Sequence, residues 1–394
     1  MAYTTELTDS DPLLQRPSQA RPLRHGFAQR ALERLLATAD IALDGRRPWD
    51  ITVHDARFAR RVLTHGSLGA GEAYMDGWWD CEQLDEMFTR LMNARIDDRM
   101  GGMHKLFAPI LASLRNPQSR RRAFQVGERH YDAGDDLYAC MLDASMTYSC
   151  GYWRGATDLH TAQAHKLDLV CRKLRLKPGM RVLDIGCGWG GAAQFAAERY
   201  GVNVTGLTVS RNQAESARAR CKGLPVEILL QDYRDLHGTF DRIFSIGMFE
   251  HVGPRNYGTY FAKVRDLLAP DGLFLLHTIG SNWSSHTTDP WIERYIFPNS
   301  VIPSMTQIAS ALEYRYVIED LHAFGPDYDR TLTAWLANFD ANWQTIAPRY
   351  GERFRRMWRY YLTASAASFR ARSNQLWQLL LSPHGVPGGL TEVR

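Results

Sequence analysis

The stretch V-L-D-I-G-C-G-W-G-G, Val182 to Gly191, is the clearest place in this sequence where residue types and spacing imply chemistry. An apolar run ends at Ile185. Three alternating glycines, Gly186, Gly188 and Gly190, then allow a tight turn whose backbone a ligand can approach before a helix starts. Such a loop suits a nucleotide-like cofactor. Alone it does not discriminate, because dinucleotide-binding loops place G-x-G-x-x-G at the same topological point. Asp184 falls just before the loop, near the carboxyl end of a strand, where open α/β sheets bind their ligands. The six cysteines, Cys81, Cys140, Cys150, Cys171, Cys187 and Cys221, include no C-x-x-C pair. No zinc site or disulfide framework is expected, and a reducing cytoplasm is the implied compartment.

A loop of this kind needs a sheet behind it. Strand-like runs at 181–185, 202–208, 226–231, 241–246 and 273–279 alternate with helix-length segments, which predicts an α/β, Rossmann-like domain with a doubly wound parallel sheet over residues 123–394. Residues 26–108 read as a smaller, mainly helical N-terminal domain. There Phe27, Ala28, Ala31, Leu32, Leu35 and Leu36 recur at helical spacing, and the glycine-punctuated run from His65 to Asp80 suggests tight turns carrying aromatics. Residues 109–122, with Pro117 and the triplet Arg120-Arg121-Arg122, read as a linker, and residues 1–25 as a flexible leader. A chain of 394 residues with 45% hydrophobic and 23% charged content has the composition of a globular protein of about two domains. Its net charge of +4 is too small to argue for nucleic acid but is compatible with an anionic lipid surface. No apolar run approaches the roughly 18 residues of a membrane span, so a membrane would be met peripherally.

The loop resembles the S-adenosylmethionine loop of class I methyltransferases more than a nicotinamide fingerprint. The second strand of that fold commonly ends in an acid that holds the ribose. Here T-V-S-R-N-Q, Thr208 to Gln213, offers the amide of Gln213 instead. Q-D-Y-R-D-L places Asp232 for the adenine amine and Tyr233 beside the ring. Further motifs are Y-M-D-G-W-W, E-R-H-Y-D-A-G-D-D-L-Y, Y-S-C-G-Y-W, S-I-G-M-F-E-H-V-G, L-L-H-T-I-G and Y-I-F-P-N. Together they resemble the bacterial cyclopropane-fatty-acyl-phospholipid synthases from about Phe27 onward, and they are similar also to the mycolic acid cyclopropane synthases. The resemblance implies an enzyme that transfers a methylene group from S-adenosylmethionine to the cis double bond of unsaturated phospholipid acyl chains. It also implies a homodimer bound peripherally to the cytoplasmic face of the membrane, with Tyr148 and Ser149 in the cofactor-binding set.

That reaction makes two demands. An alkene attacking the sulfonium methyl becomes a carbocation, which aromatic faces can stabilise. The candidates are Tyr148, Tyr152, Trp153 and Tyr328, with Tyr152 and Trp153 equally suited to packing. A base must then take a proton from the new methyl group. The resemblance implies a bicarbonate ion held by Cys150, Glu250, His277, the Ile279 backbone and Tyr328. His277 and Tyr328 can donate to an anion, and Glu250 can accept the anion's own proton. His251 reads as structural, Cys187 as a small packing residue, and Cys150 as no nucleophile. Ser365 stands where the family has been credited with a catalytic cysteine, which argues against an essential thiol. A methyltransferase that stops at a methyl-branched product is the alternative, and a lipid carrier without chemistry is a more distant one. For docking, the Phe27 helix with Trp78 and Trp79 is favoured over the basic-aromatic segment from Arg349 to Tyr361, whose Phe354, Trp358 and Tyr361 fit a core-facing helix.

Overall fold

The computed structural model describes residues 26–96 and 134–394. The expected leader, the linker and the start of the E-R-H-Y-D-A-G segment lie outside the described residues. The first part of the chain folds as α1 (Phe27–Ala37), β1 (Thr52–Val53), α2 (Phe58–Met75), β2 (Trp79–Asp80) and α3 (Leu84–Asn93), with β1 and β2 paired antiparallel. Helix α1 buries Leu32 and Leu36, the inner stripe of its helical repeat.

The glycine run corrects one expectation. Residues 65–75 are helix, interrupted only at Gly66, whose φ is 58°. Gly69 and Gly71 serve close packing instead of turns. A Cβ on Gly71 would lie 2.4 Å from the Trp291 ring, and one on Gly69 would lie 2.4 Å from the Arg61 carbonyl oxygen. Trp79 is corrected too. It is 2% exposed and its indole N–H donates to the Ala70 carbonyl, so it belongs to the core and not to a docking surface.

The second part runs α4 (Asp135–Met141), α5 (Leu159–Lys173), β3 (Arg181–Ile185), α6 (Gly191–Tyr200), β4 (Asn203–Thr208), α7 (Arg211–Arg220), β5 (Val226–Leu230), β6 (Phe240–Ile246), α8 (Tyr257–Leu267) and β7 (Leu268–Ser281). It continues through α9 (Pro290–Tyr295), α10 (Met305–Leu312), β8 (Val317–Ala323), α11 (Pro326–Arg370) and β9 (Asn374–Ser382). One sheet of order β5-β4-β3-β6-β7-β9-β8 results. The first five strands are parallel, as the alternation predicts. Strand β9 runs antiparallel to both β7 and β8, so the sheet is mixed at its C-terminal edge. Strand order reverses between β3 and β6, the switch point at which such sheets open a crevice.

Helix α11 joins the two parts. Its 45 residues break helical geometry once, at Gly351 (φ 74°). Trp335, Phe339, Trp343, Trp358 and Tyr361 are buried along it, in one apolar cluster with residues of α1, α2 and α3. The arginines of the Arg349–Tyr361 segment are tied down. Arg353 pairs with Asp76, Arg356 with Asp80, Arg349 with Asp136 and Arg359 with Asp340. The Arg353 and Arg356 pairs brace the two parts against each other, while Arg349 and Arg359 pair within the second part.

Candidate active site

The glycine loop has the conformation its composition implies. Gly186, Gly188 and Gly190 take φ of 89°, 53° and 83°, values that side chains resist, and Gly190 begins α6. A Cβ on Gly186 would also meet Met248 at 2.7 Å. Beside the loop lies a cleft lined by Tyr148, Ser149, Asp184, Gly186 and Gly188 on one side and Thr208, Gln213, Asp232 and Tyr233 on the other. Of the expected cofactor residues only Gly190 stands behind the lining, as the helix cap. His251, read as structural, lines the cleft as well, and burial pulls its imidazole down to about 4.

Several of these side chains hold one another. Thr208 Oγ1 donates to Gln213 Oε1 at 2.9 Å, and the Ser210 hydroxyl caps α7 by accepting from the Gln213 N–H. The Asp232 carboxylate accepts from the Arg234 backbone N–H and Nε at Oδ1 and from Nη2 at Oδ2, which leaves Oδ2 with a free lone pair beside the cleft. Asp184 is fully buried and its Oδ2 has no partner. Burial pushes its carboxyl up to about 8, and Lys166 opposes that rise.

Glu250 follows β6 in a short 3-10 turn (Phe249–His251), and His277 lies within β7, not after it. The expected anion ligands fall into two groups. Glu250 Oε1 accepts from the Ile279 N–H at 2.7 Å, so this backbone donor orients the carboxyl. Two residues back on the same strand face, His277 is 1% exposed. Glu250 Oε2 and His277 Nε2 are both buried without a hydrogen-bond partner. Burial raises the Glu250 carboxyl and pulls the His277 imidazole well below its usual range. The other group is Cys150 and Tyr328. Thr331 Oγ1 lies 3.9 Å from Cys150 Sγ, accepts from the Gly151 N–H and the Trp153 indole N–H, and sits one helical turn after Tyr328. The Tyr328 ring stacks on Phe369 at 4.6 Å and meets Trp335 edge-on, and Trp335 also packs on Tyr148. Phe324 connects the groups, 5.8 Å from the His277 ring and 5.4 Å from the Tyr152 ring. Burial holds the Cys150 thiol far above the range of a nucleophile.

Residues 118–379 match the family model for mycolic acid cyclopropane synthetase. The chain belongs to that family. It is 54% identical over 366 residues to the cyclopropane-fatty-acyl-phospholipid synthase of Escherichia coli (strain K12), covering 93% of this chain and 96% of that protein. It is 33% identical over 398 residues to a tuberculostearic acid methyltransferase of Mycobacterium tuberculosis, covering 95% and 91%. A solved mycolic acid cyclopropane synthase complexed with SAH and CTAB superposes with a TM-score of 0.61 at 34% identity, covering 66% of this chain and 97% of that one. The fold is thus that of a class I S-adenosylmethionine-dependent methyltransferase.

Within this cyclopropane synthetase fold, four polar residues to which the sequence assigned no role, Asp135 of the E-R-H-Y-D-A-G-D-D-L-Y motif among them, hold the site together. Asp135 accepts from the Trp189 indole of the glycine loop and from Asn212 and Ser216 of α7, clamping the cleft. Gln163 and Lys166, both 0% exposed on α5, grip Ser149 through its carbonyl (2.7 Å) and hydroxyl (2.9 Å). Gln378 reaches His277 from β9. A signal was present for Gln163 and Lys166, since both interrupt the apolar stripe of an otherwise ordinary amphipathic helix.

Proposed function

We propose that the chain transfers a methylene group from S-adenosylmethionine to the cis double bond of unsaturated phospholipid acyl chains, giving cyclopropane chains. The observation that carries this reading is a nucleotide cleft at the carboxyl ends of the parallel strands together with Glu250 and His277, on the turn after β6 and on β7, which each keep one buried, unpaired polar atom. In the cleft, the backbone of Gly186 and Gly188 approaches the cofactor, with Gln213 toward the ribose and Asp232 and Tyr233 toward the adenine. Asp184 is suited to the methionine ammonium, because a cation next to it would offset the cost of ionising a buried carboxyl.

The alkene π electrons attack the sulfonium methyl, the S–C bond breaks, and S-adenosylhomocysteine leaves. The resulting cation is stabilised by the Tyr328, Trp335 and Tyr148 rings, whose faces attract positive charge without bonding to it. Loss of a proton from the new methyl group gives the electron pair that closes the ring. A bicarbonate ion bound beside Glu250 and His277 would take that proton. The unpaired Glu250 Oε2 and His277 Nε2 fit such an ion, one accepting its hydroxyl proton and the other donating to an oxygen. Ile279 N–H orients Glu250 for this task, and the apolar walls exclude water that would quench the cation.

For docking at the bilayer we favour the N-terminal part. Phe27 is 84% exposed, and Trp78 is held between the Arg57 and Arg61 guanidiniums. Among the described residues no helix is long and apolar enough to cross a membrane. Assembly as a homodimer is the accompanying expectation, which sedimentation would test.

The deciding experiment supplies S-adenosylmethionine and vesicles of cis-unsaturated phospholipid. Release of S-adenosylhomocysteine, a mass gain of one methylene and loss of olefinic proton signals are expected. A methyl-branched product that keeps an alkene would overturn ring closure. No turnover would leave a carrier.

A further inference from the structure

Strand β9 enters the sheet antiparallel to β7 in a register that sets Gln378 directly opposite His277. Opposed residues of an antiparallel pair share a face, so the two side chains meet. Gln378 is 0% exposed on a strand flanked by β7 and β8. Gln378 Nε2 lies 3.2 Å from His277 Nδ1. An amide NH2 can only donate, so the ring nitrogen it faces must accept.

We propose that Gln378 is a positioning residue that fixes His277 as the Nε2–H tautomer, so that the imidazole presents a hydrogen-bond donor to the reaction pocket. The inference rests on the reading of His277 as part of the anion pocket. Three observations support it. His277 Nε2, the nitrogen that then carries the proton, is buried and lacks a protein partner, as a donor reserved for a ligand must. A doubly protonated ring would set its Nδ1–H against the amide NH2, donor against donor, so the same contact disfavours imidazolium. The surroundings act in the same direction: burial, Lys166, Lys173 and His322 all lower the basicity of His277. His322 stands opposite Gln378 on β8, and its Nδ1 lies 3.2 Å from the Lys173 ammonium, which also pairs with Asp320 at 2.9 Å. His277, Gln378 and His322 thus stand in one row across three strands, with the Lys173 cation at its outer end.

The test is nitrogen-15 NMR of the full chain labelled at histidine, with His277 assigned by its loss in His277→Gln. The wild type should show the Nε2–H pattern at neutral pH. Gln378→Glu, nearly the same shape, supplies an acceptor and should convert the ring to Nδ1–H. Its kcat should fall at least tenfold while KM for S-adenosylmethionine stays within twofold. Gln378→Met, which neither donates nor accepts strongly, should give a tautomer mixture and an intermediate kcat. If Gln378→Glu fails to fold, the wild-type and Gln378→Met spectra decide. A wild-type ring in the Nδ1–H or doubly protonated form overturns the proposal, as does an unchanged Nε2–H pattern in Gln378→Glu. If the tautomer moves as stated but neither Gln378→Glu nor His277→Gln changes turnover, the tautomer assignment stands and the placement of His277 in the anion pocket fails.

Discussion

The cofactor cleft and the buried Glu250 and His277 region are built on different principles. In the cleft, binding falls to backbone shape, and the polar side chains apart from Asp184 are largely satisfied by their neighbours: Asp232 by Arg234, Gln213 by Thr208, and Trp189 by Asp135. At the second site, Glu250 Oε2 and His277 Nε2 are buried and unsatisfied, a state that costs stability unless a ligand completes it. The difference separates two jobs. Preformed geometry supplies affinity, and incomplete polar groups supply chemistry.

Substitutions should respect that division. The largest effect is expected at the second site. Glu250→Gln keeps the shape but loses the acceptor, so kcat should drop about 100-fold or more, the scale of a general acid–base group. S-Adenosylmethionine affinity, measured by calorimetry, should be unchanged; joint loss of both would erase the distinction. In the cleft, Gly186→Ala forces a side chain into φ of 89° against Met248, at roughly 1–3 kcal/mol of strain. It should raise KM for the cofactor about tenfold or more with a smaller change in kcat. Asp135→Asn weakens the clamp on Trp189, Asn212 and Ser216 without removing it, and a severalfold rise in cofactor Kd is expected. A kcat-only effect from either cleft variant would contradict the comparison.

The thiols give a pH-dependent check. Burial disfavours the thiolate, raising Cys140 to about 11 and Cys81 to about 12, with Cys150 and Cys187 also raised. Only a trace of thiolate exists at pH 8, so alkylation of the folded chain should be slow and should climb about tenfold per pH unit. Fast labelling at pH 7 that abolishes turnover would restore a catalytic cysteine. The smallest effect belongs to Ser365→Cys, which should leave kcat within twofold.

The sequence made the cleft legible because its determinants are local. A strand, a run of glycines and the ends of the next strands each declare themselves within about ten residues. The residues that escaped are set by distant segments. Thr331 holds the loop at Gly151 across 180 positions, Gln378 reaches His277 only through the β7–β9 register, and Lys166 meets Ser149 only after α5 docks. Gly69 and Gly71 misled for the same reason. Glycine permits a turn, but here it makes room for Trp291, which no local pattern announces. Trp79 looked like a surface anchor until α2 and α11 closed over it, with Tyr360 at 6.4 Å.

Helix α11 has a consequence for how the protein can be taken apart. Its one end carries Tyr328 and Thr331, and its later turns are fastened to α2, α3 and β2 through Asp76, Asp80 and Asp85. Cutting the chain ahead of residue 134 would strip a continuous aromatic ridge, Tyr360 and Trp291 included, of the partners that keep it dry. The truncated product should aggregate instead of surviving as a smaller enzyme. Heating the intact chain should melt both parts in a single calorimetric transition.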